Sequence, residues 1–255
     1  QESEHHPLLS IISLFSIALG AGAAGCINMW YEQDVDAIML RTQKRPLPQG
    51  KIESGDALSL GITLSIISVV LLSLSSNYMA GFLLTFTILF YVIVYTIWLK
   101  RKTVYNIVIG GAAGALPPLI GWVAATGTLS YEAWIIFGIQ FIWQFPHFWA
   151  IAWVSDDDYK KAGFKLLPGS GKKDLNTAIN IMVYTLFLLP LGLLPTYFGL
   201  TGLNSGIIAT CCGALFLAQT FQLMKDNSHK SALRIMFGSF IYLPIVQISY
   251  LLDKI

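Results

Sequence analysis

Asn28, Glu32 and Asp36 stand four residues apart in a segment, Asn28 to Pro48, that also holds Asp34, Arg41, Lys44 and Arg45. On a helix that spacing lines the three oxygen-bearing side chains along one face, with Glu32 and Asp36 about 6 Å apart along the axis, and turns Asp34 the other way. Oxygen donors on one face suit a hard cation such as Mg2+, which commonly takes one or two carboxylates and completes its shell with phosphate oxygens. Arg41 and Arg45 follow within a turn or two, and their forked guanidiniums are matched to diphosphate oxygens. A purely electrostatic membrane anchor would need these cations but not their closeness to Glu32 and Asp36. Lys100, Arg101 and Lys102 form a second cationic hairpin, open to the same two readings. A second acidic cluster, Asp156, Asp157 and Asp158, could share metal ions with the first, or simply favour the start of a helix.

The elements that must position these groups are membrane helices. Of 255 residues 55% are hydrophobic and 12% charged, which excludes a soluble domain of this size. Uninterrupted apolar runs give eight spans near 8–28, 57–75, 79–98, 105–123, 133–154, 177–198, 204–223 and 233–252. Because the runs are continuous and do not alternate apolar with polar residues, they predict an all-α bundle and exclude a membrane barrel. Segment Asn28–Pro48 is then the end of span one and the loop beyond it, helical until Pro46 stops it. Eight crossings put fifteen of the sixteen basic residues on one side, the cytoplasmic one, with ten of the fourteen acids. A face rich in both signs points to metal and phosphate; it offers no case for nucleic acid.

Span four carries Gly110, Gly114 and Pro117-Pro118, and the prolines are expected to break the helix. Such a break is tolerated only against protein or a cavity, so this span should face the interior. Span five reads Gln140-Phe-Ile-Trp-Gln-Phe-Pro-His-Phe-Trp, and His147 lies seven residues, about 10 Å, inside it. An ionisable group at that depth is either functional or a satisfied structural histidine. The neighbouring aromatics could shield a carbocation or merely pack. Gly20-Ala-Gly-Ala-Ala-Gly25 matches a dinucleotide fingerprint in letters alone; inside a span it reads as close helix packing. Cys26, Cys211 and Cys212 read as buried thiols, and spans two, three and six to eight as scaffold. The chain opens on Gln1 with an external loop leading into span one, and a further segment is expected upstream.

Taken together, Asn-x-x-x-Glu-x-Asp-x-Asp at 28–36, Met-x-Arg-Thr-x-x-Arg-Pro-Leu at 39–47, Leu-Lys-Arg-x-Thr-x-x-Asn at 99–106, Gly-Ala-Leu-Pro-Pro-Leu-Ile-Gly-Trp at 114–122, Pro-His-Phe-Trp at 146–149 and Asp-Asp-Tyr-x-x-Ala-Gly at 157–163 resemble the protoheme IX farnesyltransferase (haem O synthase) family. That family lies within the intramembrane aromatic prenyltransferases. The resemblance covers nearly the whole chain, as one transmembrane domain over 1–255. It implies nine spans around a central cavity, Mg2+-bound farnesyl diphosphate, and farnesyl transfer to a vinyl group of haem B, giving haem O. The family's first span is not among the eight and is expected in the segment upstream of Gln1. The resemblance implies Asn28, Glu32, Asp36, Asp157 and Asp158 at the reacting centre, the last four as metal ligands, and Arg41, Arg45, Lys100 and Arg101 on the diphosphate. His147 becomes a candidate for haem contact or proton handling. The implied setting is the bilayer of a bacterial inner membrane, less readily the mitochondrial one, with the site on the cytoplasmic side and haem A synthase or terminal-oxidase assembly as partners. The alternatives are a sister enzyme prenylating a quinone precursor or chlorophyllide, an ion-coupled transporter, and a haem chaperone.

Overall fold

The computed structural model describes residues 7–101, 106–169 and 171–255. Lys102 and Thr103, and the expected external loop at 1–6, lie outside the described residues. Eight helices are long and apolar enough to cross a membrane, each overlapping one expected span. They are α1 (Pro7–Tyr31), α3 (Ser54–Ser75), α4 (Tyr78–Leu99), α5 (Asn106–Thr126), α6 (Tyr131–Val154), α8 (Leu175–Tyr197), α9 (Leu203–Asp226) and α10 (His229–Leu252). Two short helices, α2 (Gln33–Ile38) and α7 (Asp156–Lys161), follow α1 and α6. Among the described residues there is no strand beyond one isolated bridge, Thr201 to Lys254. Large apolar side chains such as Leu14, Phe82, Leu215 and Leu251 point away from the protein, as lipid-facing positions do. The chain divides into two compact units, Gln1–Ala133 with Lys161–Gly163, and Trp134–Lys160 with Phe164–Ile255.

In the first unit α1 packs chiefly along α3. Gly61 is what lets them meet: a Cβ there would fall 2.6 Å from the Ile27 side chain and 3.4 Å from its backbone nitrogen. The α3–α4 turn is pinned by Asn77, whose Oδ1 accepts from Ala80 N–H (2.9 Å) while its Nδ2 donates to the Val123 carbonyl (2.9 Å). One side chain thereby caps α4 and ties it to α5.

The second half of α4, Phe90–Leu99, is wound as a π-helix, ending with Lys100 N–H on the carbonyl of Tyr95, five residues back (2.8 Å). Such winding clusters at functional sites. Gly110 on α5 leaves room for the Tyr95 ring, which a Cβ would meet at 2.8 Å. Span three, read from its composition as scaffold, is therefore shaped around particular side chains.

The second unit holds most of α6 and α7, with α8 to α10. α8 and α9 approach at small residues: a Cβ on Gly206 would meet Thr196 Oγ1 at 2.8 Å, and one on Gly213 would meet Leu189 at 2.7 Å. α8 and α10 start on side-chain caps, Asp174 to Thr177 N–H (2.9 Å) and Ser228 to Ser231 N–H (3.1 Å).

Several expectations are corrected. α5 runs through Pro117-Pro118 unbroken; the proline φ is itself helical, and the loss is confined to two hydrogen bonds. Helix continues after span one only to Ile38, with an interruption at Glu32, and the chain reaches Pro46 through turns. In the Gly20–Gly25 segment Gly20 packs closely against Leu84 and Ala23 lies fully buried beside Gly61, while a Cβ at Gly22 or Gly25 would meet nothing within 4 Å. The thiols are not all buried: Cys211 is exposed on α9, and Cys26 and Cys212 are half-buried.

Candidate active site

The ends of α1 and α4 that carry the charged residues run alongside each other and are joined by matching rungs. Asn28 Nδ2 donates to Thr96 Oγ1 (3.1 Å), and one turn later Lys100 Nζ donates to Glu32 Oε2 (2.6 Å). Both rungs link residues 68 apart in sequence, so the helices keep register over this turn. Asn28, Thr96, Glu32 and Asp36 are all buried. The turn after α2 then folds Arg45 back onto Asp36, Nη1 to Oδ2 at 2.7 Å, while Thr42 Oγ1 donates to the Asp36 carbonyl (3.0 Å). On the opposite face Arg101 grips Asp34 with two bonds, 2.9 and 3.2 Å. Glu32 and Asp36 thus share the buried side and Asp34 the exposed one, as their spacing implies, even though the helix is interrupted between Tyr31 and Gln33.

The expected cations and acids meet each other directly. Two carboxylates with about 6% of their side chains exposed, Glu32 and Asp36, each hold a cation. Burial without a partner would cost several kcal/mol per charge, so the pairing explains how the acids sit below the surface. One oxygen is left over: Glu32 Oε1 is buried and without a hydrogen-bond partner. Arg41, also expected on phosphate, lies on the exposed turn.

Asp34 and Arg101 are the site's titrating rim. The guanidinium holds the Asp34 carboxyl below its ordinary value, chiefly through their hydrogen bonds, and Asp34 raises Arg101 in return. A depressed folded-state pKa contributes stability that is present above the unfolded value, 3.8, and is lost as pH falls through the folded one. With Asp34 64% exposed the pair is worth roughly 0.2–1 kcal/mol. The thermal midpoint of Asp34→Asn in detergent should therefore trail wild type slightly at neutral pH. The gap should close as pH drops below about 4 and in about 1 M salt.

Above the charged rungs an apolar cleft of about 220 Å³ lies between α1, α4 and α5, walled by Ile17, Gly20, Ala24, Leu84, Tyr91, Pro117 and Ile120 among others. A column of side chains joins cleft to charge. The Tyr91 ring lies beside that of Tyr95 (5.2 Å), Lys100 Nζ sits 5.4 Å from the Tyr95 ring centre, and Lys100 holds Glu32.

In the second unit the buried acid of the cluster is Asp156, which binds Lys160 (2.7 Å) and lies 3.8 Å from Lys173. Asp156 raises the Lys160 pKa through its hydrogen bond. Of the two expected metal ligands, Asp157 is exposed and Asp158 half-buried. His147 is buried, stacked on Trp143 (ring centres 4.4 Å) and edge-on to Phe240 (4.9 Å), with Nδ1 2.8 Å from Ser239 Oγ. The Ser239 hydroxyl already donates to the Met236 carbonyl (2.6 Å), so toward His147 it accepts. The ring proton is thereby on Nδ1 and the lone pair on Nε2. Ser239, on a helix read as wall, is the partner that sequence reasoning missed; one serine in an apolar run carries no signal of its own. Of the span-five aromatics, Phe145 and Trp149 pack against Tyr184.

Within neither unit, among the described residues, do three or more His, Cys, Asp or Glu side chains gather as a metal cage. The donor set still fits Mg2+. The ion needs only one or two carboxylates when phosphate supplies the rest, and Glu32 offers an unpartnered buried oxygen.

The sequence model of the UbiA prenyltransferase family matches residues 1–243. The chain belongs to this family. A protoheme IX farnesyltransferase of Methylobacterium sp. (strain 4-46) is 47% identical over 246 residues, covering 95% of this chain and 77% of that relative. One of Cytophaga hutchinsonii is 48% identical over 248 residues, covering 97% and 85%. Among solved structures, a digeranylgeranylglyceryl phosphate synthase superposes with a TM-score of 0.78 at 21% identity, covering 97% of this chain and 86% of that one. A UbiA homologue from Archaeoglobus fulgidus, bound to GPP and Mg2+, superposes with a TM-score of 0.62 at 16% identity, covering 96% and 88%. These two likenesses establish the UbiA fold. The eight apolar helices make the protein an integral membrane protein of that family.

Proposed function

We propose that this protein transfers the farnesyl group of farnesyl diphosphate to a vinyl group of haem B, giving haem O, with Mg2+ as cofactor. The observation that carries this reading is 47% identity to a protoheme IX farnesyltransferase over 95% of the chain. The Asn28, Glu32 and Asp36 face, matched by Lys100 and Arg45, supports it.

Mg2+, when bound, would supply charge neutralisation for the departing diphosphate. Glu32 and Asp36 would hold it, with Asn28 beside them and Asp157 and Asp158 as the second pair of acids. Arg45 and Lys100 would bind diphosphate oxygens, joined by Arg41 and Arg101. The C1–O bond of the allylic diphosphate breaks with its electron pair leaving on the diphosphate. The terminal vinyl carbon of haem bonds to C1, and water adds to the other vinyl carbon with loss of a proton. The apolar cleft keeps the chain and its incipient cation from water before the vinyl group is reached. The site is assigned to the cytoplasmic side of a bacterial inner membrane because the basic residues collect there.

His147, with its lone pair on Nε2, is proposed as a contact to haem. His147→Ala membranes should lose the haem-induced Soret shift of the wild type; an unaltered shift would remove the residue from the haem site. The functional reading is tested by incubating membranes with haem B, farnesyl diphosphate and Mg2+ and measuring the haem O mass. Product from 4-hydroxybenzoate or a naphthoate with none from haem would overturn it in favour of a sister prenyltransferase.

A further inference from the structure

A second cleft, of about 510 Å³, lies at the opposite end of α1 from the charged rungs, lined by Ser13, Leu14, Ser75, Asn77, Ala124 and Gly127 among others. Its character differs from that of the first. Ser13 and Ser75 are hydrogen-bonded across it (3.0 Å), and Asn77 donates to the Val123 carbonyl. Ile17 is common to both walls. Its side chain is buried, and it stands where an almost wholly apolar cleft gives way to one in which serine, asparagine and threonine side chains alternate with leucine and alanine.

The dimensions give this position a meaning. Glu32 and Ile17 are fifteen residues apart along α1 and its extension, about 22 Å at helical rise. A farnesyl chain of twelve main-chain carbons extends about 14 Å at ~1.3 Å per bond, and a diphosphate adds about 5 Å. A chain anchored at the rungs of Glu32 and Lys100 and laid along the cleft therefore ends close to Ile17. One more isoprene unit, about 5 Å longer, would have to pass the Ile17 side chain and enter a cleft whose walls include Ser10, Ser76 and Asn77, where hydrocarbon displaces water from polar groups without replacing its hydrogen bonds.

We infer that Ile17 sets the length of the isoprenoid accepted, ending the apolar cleft after three isoprene units. The inference rests on the proposed prenyl transfer, since it assigns the tail of that substrate to the first cleft. Discrimination of this kind, a side chain filling or clearing the end of an apolar pocket, is commonly worth 10–200-fold.

The test is a ratio, measured in one membrane preparation so that any loss of folded protein cancels. Haem B is supplied with geranyl, farnesyl or geranylgeranyl diphosphate, and kcat/KM is compared for wild type, Ile17→Ala and Ile17→Phe. Ile17→Ala should raise the geranylgeranyl-to-farnesyl ratio about tenfold or more, and Ile17→Phe should raise the geranyl-to-farnesyl ratio in the same range. Haem O formed normally, with both ratios within about twofold of wild type, would overturn the role of Ile17 and leave the functional reading intact. No transfer to haem from any of the three by wild type would overturn that reading and this inference with it.

Discussion

Asp36→Asn is expected to lower haem O formation by about 10²–10³-fold while leaving the protein in the membrane at near-normal amount. The carboxylate is buried and its Oδ2 takes a bond from Arg45. The amide keeps that side chain's size, and Arg45, one-third exposed, can turn to water, so the fold loses little. The charge that would hold Mg2+ against the diphosphate is lost outright. The decrease should fall on kcat and be only partly recovered by raising Mg2+. Wild-type turnover would remove Asp36 from the metal site.

Lys100→Met is expected to harm both folding and activity, and a second substitution should separate the two. The change strands Glu32, with one oxygen already unpartnered, as an uncompensated buried charge, a cost of about 3–5 kcal/mol. Membrane levels and the thermal midpoint in detergent should both drop. Adding Glu32→Gln removes the stranded charge and should restore most of the midpoint. Turnover should stay at least about a hundredfold down, because one proposed diphosphate cation and one metal ligand are both gone. If the double variant recovered activity with stability, Lys100 and Glu32 would be a structural pair only.

The parts of this site that could be read from the sequence are those fixed by local geometry. Spacing by four put Asn28, Glu32 and Asp36 on one side and Asp34 on the other, and an interrupted helix did not change that, because Glu32 N–H still bonds to Asn28 and Asp36 N–H to Glu32 (3.0 and 2.8 Å). The eight spans were legible because bilayer thickness and backbone satisfaction leave the chain few choices. What stayed hidden depends on partners distant in sequence. Lys100 reads as a cation for phosphate, and nothing local says that it reaches Glu32, since α-helical periodicity does not anticipate a stretch of π winding before it. Asp156, Asp157 and Asp158 are chemically alike in sequence; only the lysines at 160 and 173 distinguish Asp156. Pro117-Pro118 misled in the other direction, because the rule for prolines concerns lost hydrogen bonds and α5 carries that loss without ending.

The ten π-wound residues at 90–99 make the count of residues in this part of the chain matter as much as the identity of Tyr91, Tyr95 and Thr96. A single deletion there would turn everything beyond it by roughly 80–100°, carrying Lys100 off Glu32 and Arg101 off Asp34 together. Side-chain substitutions on the lipid face, such as at Ile93 or Ile97, leave that phase intact. In the lineage of this protein the lipid-facing positions of the segment should accordingly drift in composition while its length stays fixed.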